Sequence, residues 1–391
     1  MKTVHLTMAQ ALVRFLAAQM TRLEGETLPL FAGVWAIFGH GNVAGLGEAL
    51  YPLRDRLPTV RGHNEQAMTH AAIAYAKATR RRRMMACTTS IGPGATNLVT
   101  AAALAHVNRL PVLLLPGDVF AGRGPDPVLQ QIEDAGDGTV SANDCLRPVS
   151  RYFDRITRPE QIISAAQRAM AVLTDPVDCG PVTLALCQDV QAEAFDYPES
   201  FFAETIWTPR RPRPDPDEVS AAARILGKAA APLAIVGGGV RYSAAEETLR
   251  AFVERHGIPL AETQAGKSAL PHDHFLNMGA IGVTGTSAAN DLAEAADVIL
   301  ALGTRLQDFT TGSWALFKNP GRRFIGLNIR PLDAVKHRAH PLVADLRSGL
   351  EELSAALGAY RAPEAWRTQA ESGFAAWMES AARATAPGNA G

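Results

Sequence analysis

Apolar residues recur along this chain in two alternating rhythms. Behind Thr7, a residue suited to a helix N-cap, Met8, Leu12, Phe15 and Leu16 fall three and four apart and predict a helix from Met8 to about Arg22. A short apolar run, Val34-Trp35-Ala36-Ile37-Phe38, then predicts a strand. It enters the glycine-rich turn Gly39-His40-Gly41-Asn42-Val43-Ala44-Gly45 and a helix carrying Leu46, Leu50 and Leu53. The unit repeats: a strand near Pro58-Thr59-Val60 with a helix from Asn64 to Thr79, then a strand from Met84 to Thr89 with a helix from Ala95 to His106. Pro111 to Leu115 is apolar throughout, as expected of a strand covered on both faces. A helix from Pro159 to Leu173 and a strand from Gly180 to Leu186 complete the series. Strands alternating with helices in this way predict a parallel sheet.

Between Tyr197 and Pro216 the prolines Pro198, Pro209, Pro212, Pro214 and Pro216, with arginines among them, predict an extended linker. The alternation then resumes. A helix is expected from Asp217 to Gly227, and a strand, Leu233 to Val236, runs into Gly237-Gly238-Gly239. Ser243-Ala244-Ala245-Glu246 has the pattern of a capping box opening a helix to His256. Further strands are expected at Ile258 to Ala261, Val298 to Leu302 and Phe324 to Leu327, with helices from Asp345 to Leu357 and from Pro363 to Thr385. The fold class expected is α/β, with two doubly wound parallel-sheet domains. The first covers residues 1–197, 198–216 form the linker, the second covers 217–360, and 361–391 form a helical and flexible tail. A chain of 391 residues is long enough for two cores.

Composition narrows the function classes. With 38 Lys and Arg against 39 Asp and Glu, the chain has no overall field to gather nucleic acid or a membrane surface. Arg80 to Arg83 are the local exception, and the end of a helix, where cations suit the dipole, accounts for them better than a polyanion site does. No apolar run is long enough to span a bilayer, and the first residues lack the pattern of an export signal, so a cytoplasmic location is expected. Cys87, Cys145, Cys179 and Cys187 lack metal-binding spacing and read as reduced thiols; no metal site is expected in this chain.

The candidate chemistry gathers between Val60 and Thr100. Glu65 stands at the start of a helix just after a short strand, and Gly92-Pro93-Gly94 follows the next strand, with Asn97 beyond it. Locally, a first-turn carboxylate favoured by the helix dipole accounts for Glu65 as well as any catalytic role. His40, Asn42 and His63 stand at strand ends, and Gln131 lies in the long Gly-, Pro- and Asp-rich connection from Gly117 to Asp144. Each has a plain reading as a loop hydrogen-bonding residue beside one as a ligand contact. Gly237 to Gly239 lack the G-x-G-x-x-G spacing of a dinucleotide loop.

Longer stretches settle the weighting. GHNEQA (Gly62 to Ala67) followed by HAAIAYAKA, and TTSIGPGATN (Thr88 to Asn97), resemble the pyrimidine-binding domain of thiamine-diphosphate enzymes of the acetolactate synthase group. LPVLLLPGD (Leu110 to Asp118), GPVTLALCQDVQ (Gly180 to Gln191), PLAIVGGGV (Pro232 to Val240), ETQAGKSALP (Glu262 to Pro271) and DVILALGTRLQDFTTG (Asp297 to Gly312) resemble the same superfamily in the same order. Within it, FGHGNVAGLGEAL, GHNEQ and SIGPGATN are most similar to the family of hydrolases that open a trihydroxycyclohexanedione ring in myo-inositol breakdown. Acetolactate synthases usually carry His directly before the glutamate, where this chain has Asn64.

The resemblance implies thiamine diphosphate and Mg2+ as cofactors and a cyclic dione as the small-molecule substrate. The bond between two adjacent carbonyls would be cleaved with uptake of water to give an open-chain deoxyuronic acid. It implies Glu65 as the catalytic carboxyl on the aminopyrimidine and Gly92, Pro93, Gly94 and Asn97 as cofactor contacts, with His40, Asn42, His63 and Gln131 near cofactor or polyol. A homodimer or tetramer is expected, with Glu65 serving a cofactor on the partner subunit. FAD, which some relatives hold in the middle domain, is not expected. The family's diphosphate and metal motif, Gly-Asp-Gly with a downstream Asn, has no counterpart: Gly136-Asp137-Gly138 lies inside the first domain and reads as a turn. The chain is therefore expected to be an N-terminal portion, inactive alone unless a separately encoded C-terminal domain completes it. Carboligation, 2-oxo-acid decarboxylation and a non-catalytic scaffold stay open as alternatives.

Overall fold

Strands β1 (Thr3–Thr7), β2 (Gln19–Leu23), β3 (Glu26–Pro29), β4 (Phe31–Ala36), β5 (Thr59–Arg61), β6 (Met84–Thr89), β7 (Val112–Asp118), β8 (Tyr152–Ile156), β9 (Pro181–Cys187), β10 (Ala194–Pro198) and β11 (Thr205–Trp207) build the first half of the chain. The computed structural model describes residues 2–388 apart from 24, 126, 132, 133 and 135. These divide into two compact units between Arg210 and Arg211. In the first, six strands form one parallel sheet in the order β5-β4-β6-β7-β9-β8. β6, β7 and β9 are buried along their whole length, which is why their sequences are almost continuously apolar. The helix Glu65–Ala78 packs beside Val99–Asn108, while Met8–Ala17 packs beside Gln161–Leu173, so helices cover the sheet in two separate groups.

The order of this sheet positions the site. The connection leaving β4 turns to β5 on one side, whereas those leaving β5 and β6 run the other way, so the direction of winding reverses between β4 and β6. In open α/β sheets the crevice beyond the carboxyl ends of the strands at such a reversal is where ligands bind.

Three sequence expectations change here. The first helix ends at Ala17 rather than near Arg22. Gln19 Nε2 donates to Phe15 O at 2.9 Å and closes it, and the residues beyond form β2, which pairs with β3 and with the distant β11. The apolar spacing ran on because both a helix face and a half-buried strand supply it. The expected linker 198–216 is in part folded onto the first unit. Phe201, only 6% exposed, stacks on Phe15 at 4.7 Å, and Trp207 Nε1 donates to Gln19 Oε1 at 2.9 Å. Arg80 and Arg81 lie past the helix end with positive φ. Arg81 Nη2 and Arg83 Nε donate to Asn108 O and Pro29 O, which makes them part of the turn into β6.

The second unit contains β12 (Pro232–Val236), β13 (Leu260–Glu262), β14 (Asn277–Ala280), β15 (Val298–Leu302), β16 (Arg323–Asn328) and β17 (His340–Val343). They form another parallel sheet, in the order β14-β13-β12-β15-β16-β17. Helix Pro216–Leu226 is capped by the Asp215 side chain, and Leu346–Leu357 by Asp345. The expected capping box at Ser243 does not form. Ala244 has φ of 48°, the helix Glu246–His256 starts behind Ala245 without a side-chain cap, and Ser243 Oγ instead accepts from Leu346 N at 3.2 Å. The helix Glu364–Thr385, read as part of a tail, contributes Trp366 and Ala370 to the core of this unit.

Candidate active site

Three turns meet at the reversal in the first sheet. After β4 the chain turns through Gly39 to Asn42, and Gly41 N donates to Ser90 Oγ, which follows β6, at 3.3 Å. Asn42 is buried and stitches the turns together. Its Oδ1 accepts from Gly39 N at 2.9 Å, and its Nδ2 donates to Ile37 O at 3.1 Å and to Thr88 Oγ1 at 3.0 Å. Thr88 Oγ1 passes the chain on to Leu115 O of β7 at 2.8 Å. Both amide hydrogens of Asn42 are thereby occupied within the protein, so its contribution to a ligand site lies in the shape of the turn.

Glu65 arrives from the other side of β4. Asn64 caps its helix by accepting from Ala67 N at 2.9 Å, and Glu65 is the first helical residue. Thr69 Oγ1 donates to Glu65 O at 2.8 Å. The half-buried carboxyl reaches the turn after β6, where Oε2 accepts from Asn97 Nδ2 at 2.8 Å.

That turn is built by glycine. Gly92 has φ of 65° and ψ of −120°, a conformation closed to L side chains, and a Cβ there would strike the Gln130 carbonyl oxygen. Gly94 faces the carboxyl: a Cβ on it would stand 3.3 Å from Glu65 Oε1. Pro93 opens the short helix Pro93–Thr96, and Asn97 closes it.

Of the residues singled out in the sequence, the fold therefore brings Glu65, Gly94 and Asn97 into contact and sets Gly92 in the same turn. Gln130 O against Gly92 ties the long connection to this turn. Neighbouring Gln131 has a buried Oε1 without a hydrogen-bond partner among the described residues, as does Nε2 of the half-buried His40. His63 is exposed. Gly136-Asp137-Gly138 is an exposed turn in which Asp137 Oδ1 accepts from Thr139 N at 2.9 Å and Thr139 Oγ1 at 2.6 Å; the hydroxyl bond holds that carboxyl below its ordinary range. No cluster of metal-ligating side chains occurs among the described residues.

Sequence reasoning passed over two features. Ser90 joins the turn after β6 to the turn after β4, and the signal was the run of short polar residues Thr88-Thr89-Ser90 ending an apolar strand. Arg155 on β8 anchors the long connection. Its Nε donates to buried Asp118 Oδ2 and its Nη2 to Ser141 Oγ and Asp144 Oδ2, each at 2.8 Å. Thirty-seven positions separate Arg155 from Asp118, and nothing local marks the pair.

Residues 33–136 match the model of the thiamine pyrophosphate enzyme N-terminal TPP binding domain, and residues 219–353 that of the thiamine pyrophosphate enzyme central domain. The chain belongs to the thiamine pyrophosphate enzymes and carries their N-terminal and central domains. Among curated proteins it is 49% identical over 380 residues to the 3D-(3,5/4)-trihydroxycyclohexane-1,2-dione hydrolase of Geobacillus thermodenitrificans, covering 95% of this chain and 59% of that protein. It is 47% identical over 382 residues to the hydrolase of the same name from Clostridium perfringens, covering 98% and 60%, and 48% identical over 354 residues to that of Clostridium tetani, covering 90% and 55%. The chain thus spans about three fifths of the length of the relatives it matches. No helix among the described residues is long and apolar enough to cross a membrane.

The residues present fit the pyrimidine half of the cofactor. One carboxyl, half-buried at the crevice, has one oxygen engaged and the other beside a position without a side chain. This is the donor–acceptor chemistry that a ring nitrogen requires.

Proposed function

We propose that this chain forms the pyrimidine-binding and central part of a thiamine-diphosphate- and Mg2+-dependent hydrolase that opens trihydroxycyclohexane-1,2-dione to 5-deoxyglucuronate, with one water taken up. The observation that carries the chemistry is Glu65 at the sheet reversal, with Oε1 beside Gly94 and Oε2 held by Asn97. The names of its relatives supply the substrate.

When bound, thiamine diphosphate supplies a nucleophilic carbon able to take up the electrons of a cleaving C–C bond. What this chain contributes is proton handling and shape. Glu65 holds a proton at Oε1 for hydrogen bonding to the aminopyrimidine ring nitrogen. The Gly92-Pro93-Gly94 turn brings backbone close to the ring, and His40 Nε2 and Gln131 Oε1, without a partner among the described residues, are the polar atoms offered to a polyol. The same reading has the chain act as a homodimer or tetramer, with Glu65 serving a cofactor seated on the partner subunit.

The test is ring opening of the dione with thiamine diphosphate and Mg2+, by this chain alone and with the C-terminal part of a relative supplied. Formation of the deoxyuronate is expected in the completed system, and Glu65→Gln should slow it by about 10²–10⁴-fold with an unchanged urea midpoint. A product of carboligation or decarboxylation, or turnover indifferent to Glu65→Gln, would reject the assignment.

A further inference from the structure

The two oxygens of the Glu65 carboxyl have different surroundings. Oε2 accepts from Asn97 Nδ2 at 2.8 Å; Oε1 stands next to Gly94, at 3.3 Å from where a Cβ would lie. The bond to Asn97 spans 32 positions and ties the turn after β6 to the first residue of the helix after β5. A side-chain amide N–H can only donate, so the oxygen that it reaches is held as an acceptor. Any proton on this carboxyl is thereby directed to Oε1. Without such a tie, a glutamate in the first turn of a helix would sample several rotamers, and fixing it on binding would cost side-chain entropy.

We propose that Asn97 is a positioning residue for Glu65. It holds Oε2 so that Oε1, the oxygen able to carry the proton, faces the space left by Gly94, and it makes no contact with the ligand itself. This rests on the reading of Glu65 given above and changes the role that the family resemblance implies for Asn97. Both partners come from rigid element ends, the arrangement that keeps a reactive group within a narrow range of geometry.

Two measurements on the full chain test it. In the ligand-free protein, the side-chain amide resonances of Asn97, assigned by their loss in Asn97→Ala, should move on Glu65→Ala and stay in place on Lys77→Ala, at the far end of the same helix. Amide resonances indifferent to Glu65→Ala would overturn the proposal. The second measurement is calorimetric titration with thiamine diphosphate and Mg2+, the C-terminal part of a relative being supplied, across the cycle of Asn97→Ala and Glu65→Ala. Asn97→Ala should weaken binding about tenfold when Glu65 is present, the weight of one hydrogen bond, and less than about twofold when it is absent. Losses that multiply in the double variant would mean that Asn97 touches the ligand directly, which also overturns the proposal. If the unaltered chain completed by the C-terminal part of a relative takes up no thiamine diphosphate, the functional reading fails by itself, and the resonance experiment still decides the role of Asn97.

Discussion

The two units share one architecture and put the glutamate beside its reversal to different use. Each is a parallel sheet whose winding reverses beside its first long strand, and each places a glutamate at or just past the end of the neighbouring strand: Glu65 after β5, Glu262 at the end of β13. In the first unit the turn after β4 packs against Ser90 and Ile91 of the turn after β6, yet Glu65 stays half-buried with one oxygen unengaged by Asn97. In the second the glycine turns are packed just as closely. Gly239 N donates to Gly303 O at 3.1 Å, and a Cβ on Gly239 would lie 2.6 Å from Gly303 Cα. Glu262 is 7% exposed there, and its Oε1 accepts from Ala269 N at 3.0 Å and Leu270 N at 3.4 Å. A carboxyl at a reversal point is thus a candidate for chemistry only where the backbone leaves it something to do; Glu262 holds a loop.

The contrast can be broken or sharpened by substitution. The largest effect on stability is expected at Gly92. Ala there must adopt a φ of 65° and push against the Gln130 carbonyl, so Gly92→Ala should destabilise the chain by about 2–4 kcal/mol in urea unfolding. A loss under about 1 kcal/mol would mean that the turn yields, and that the first unit is less rigid than its hydrogen bonds imply.

Next comes Gly94, where stability and binding should move in opposite directions. Ala is the better helix residue and should stabilise by roughly 0.5 kcal/mol. Its methyl crowds Glu65 Oε1, so calorimetry should find thiamine diphosphate binding weakened by about tenfold. Unchanged binding would show that Oε1 does not face the ligand.

The smallest effect belongs to the second unit. Burial pushes the Glu262 carboxyl above its ordinary range, against the opposing pull of backbone N–H donors. A carboxyl raised in the folded state binds more protons there than in the unfolded chain, so it favours folding at low pH. That contribution is lost as pH rises from the ordinary glutamate value through the raised one. Glu262→Gln keeps an acceptor for Ala269 N and should flatten this part of the pH profile of the urea midpoint, leaving thiamine diphosphate binding unaltered. A binding defect in Glu262→Gln would erase the distinction between the two glutamates.

How much of this was legible beforehand depends on the range of the interaction. The strand Met84 to Thr89 and the strand Val298 to Leu302 occupy the positions their sequences predicted, because a strand covered on both faces is apolar at nearly every position. The helix bearing Glu65 was legible from the alanine-rich stretch behind it, while Asn64, read as its first residue, is its cap. The first helix was read too long and the linker too early, since β2 pairs not only with neighbouring β3 but also with β11, nearly two hundred residues away. The capping box at Ser243 failed for a similar reason: its hydroxyl found Leu346 N instead of the local helix.

By itself, the sequence determined the alternation of strand and helix, the division into two α/β units, and the local features of the site, a carboxylate at a helix start and a turn that only glycine can make. These follow from propensities and periods that act over a few residues. The tertiary structure decided which of these meet. It joined Glu65 to Asn97, turned Asn42 inward as a stitch among three strands, pinned the long connection through Arg155 and Asp118, and gave Glu262 a loop to hold. Those outcomes depend on strand order, and strand order is set by burial summed over each whole sheet, which no short stretch of sequence contains.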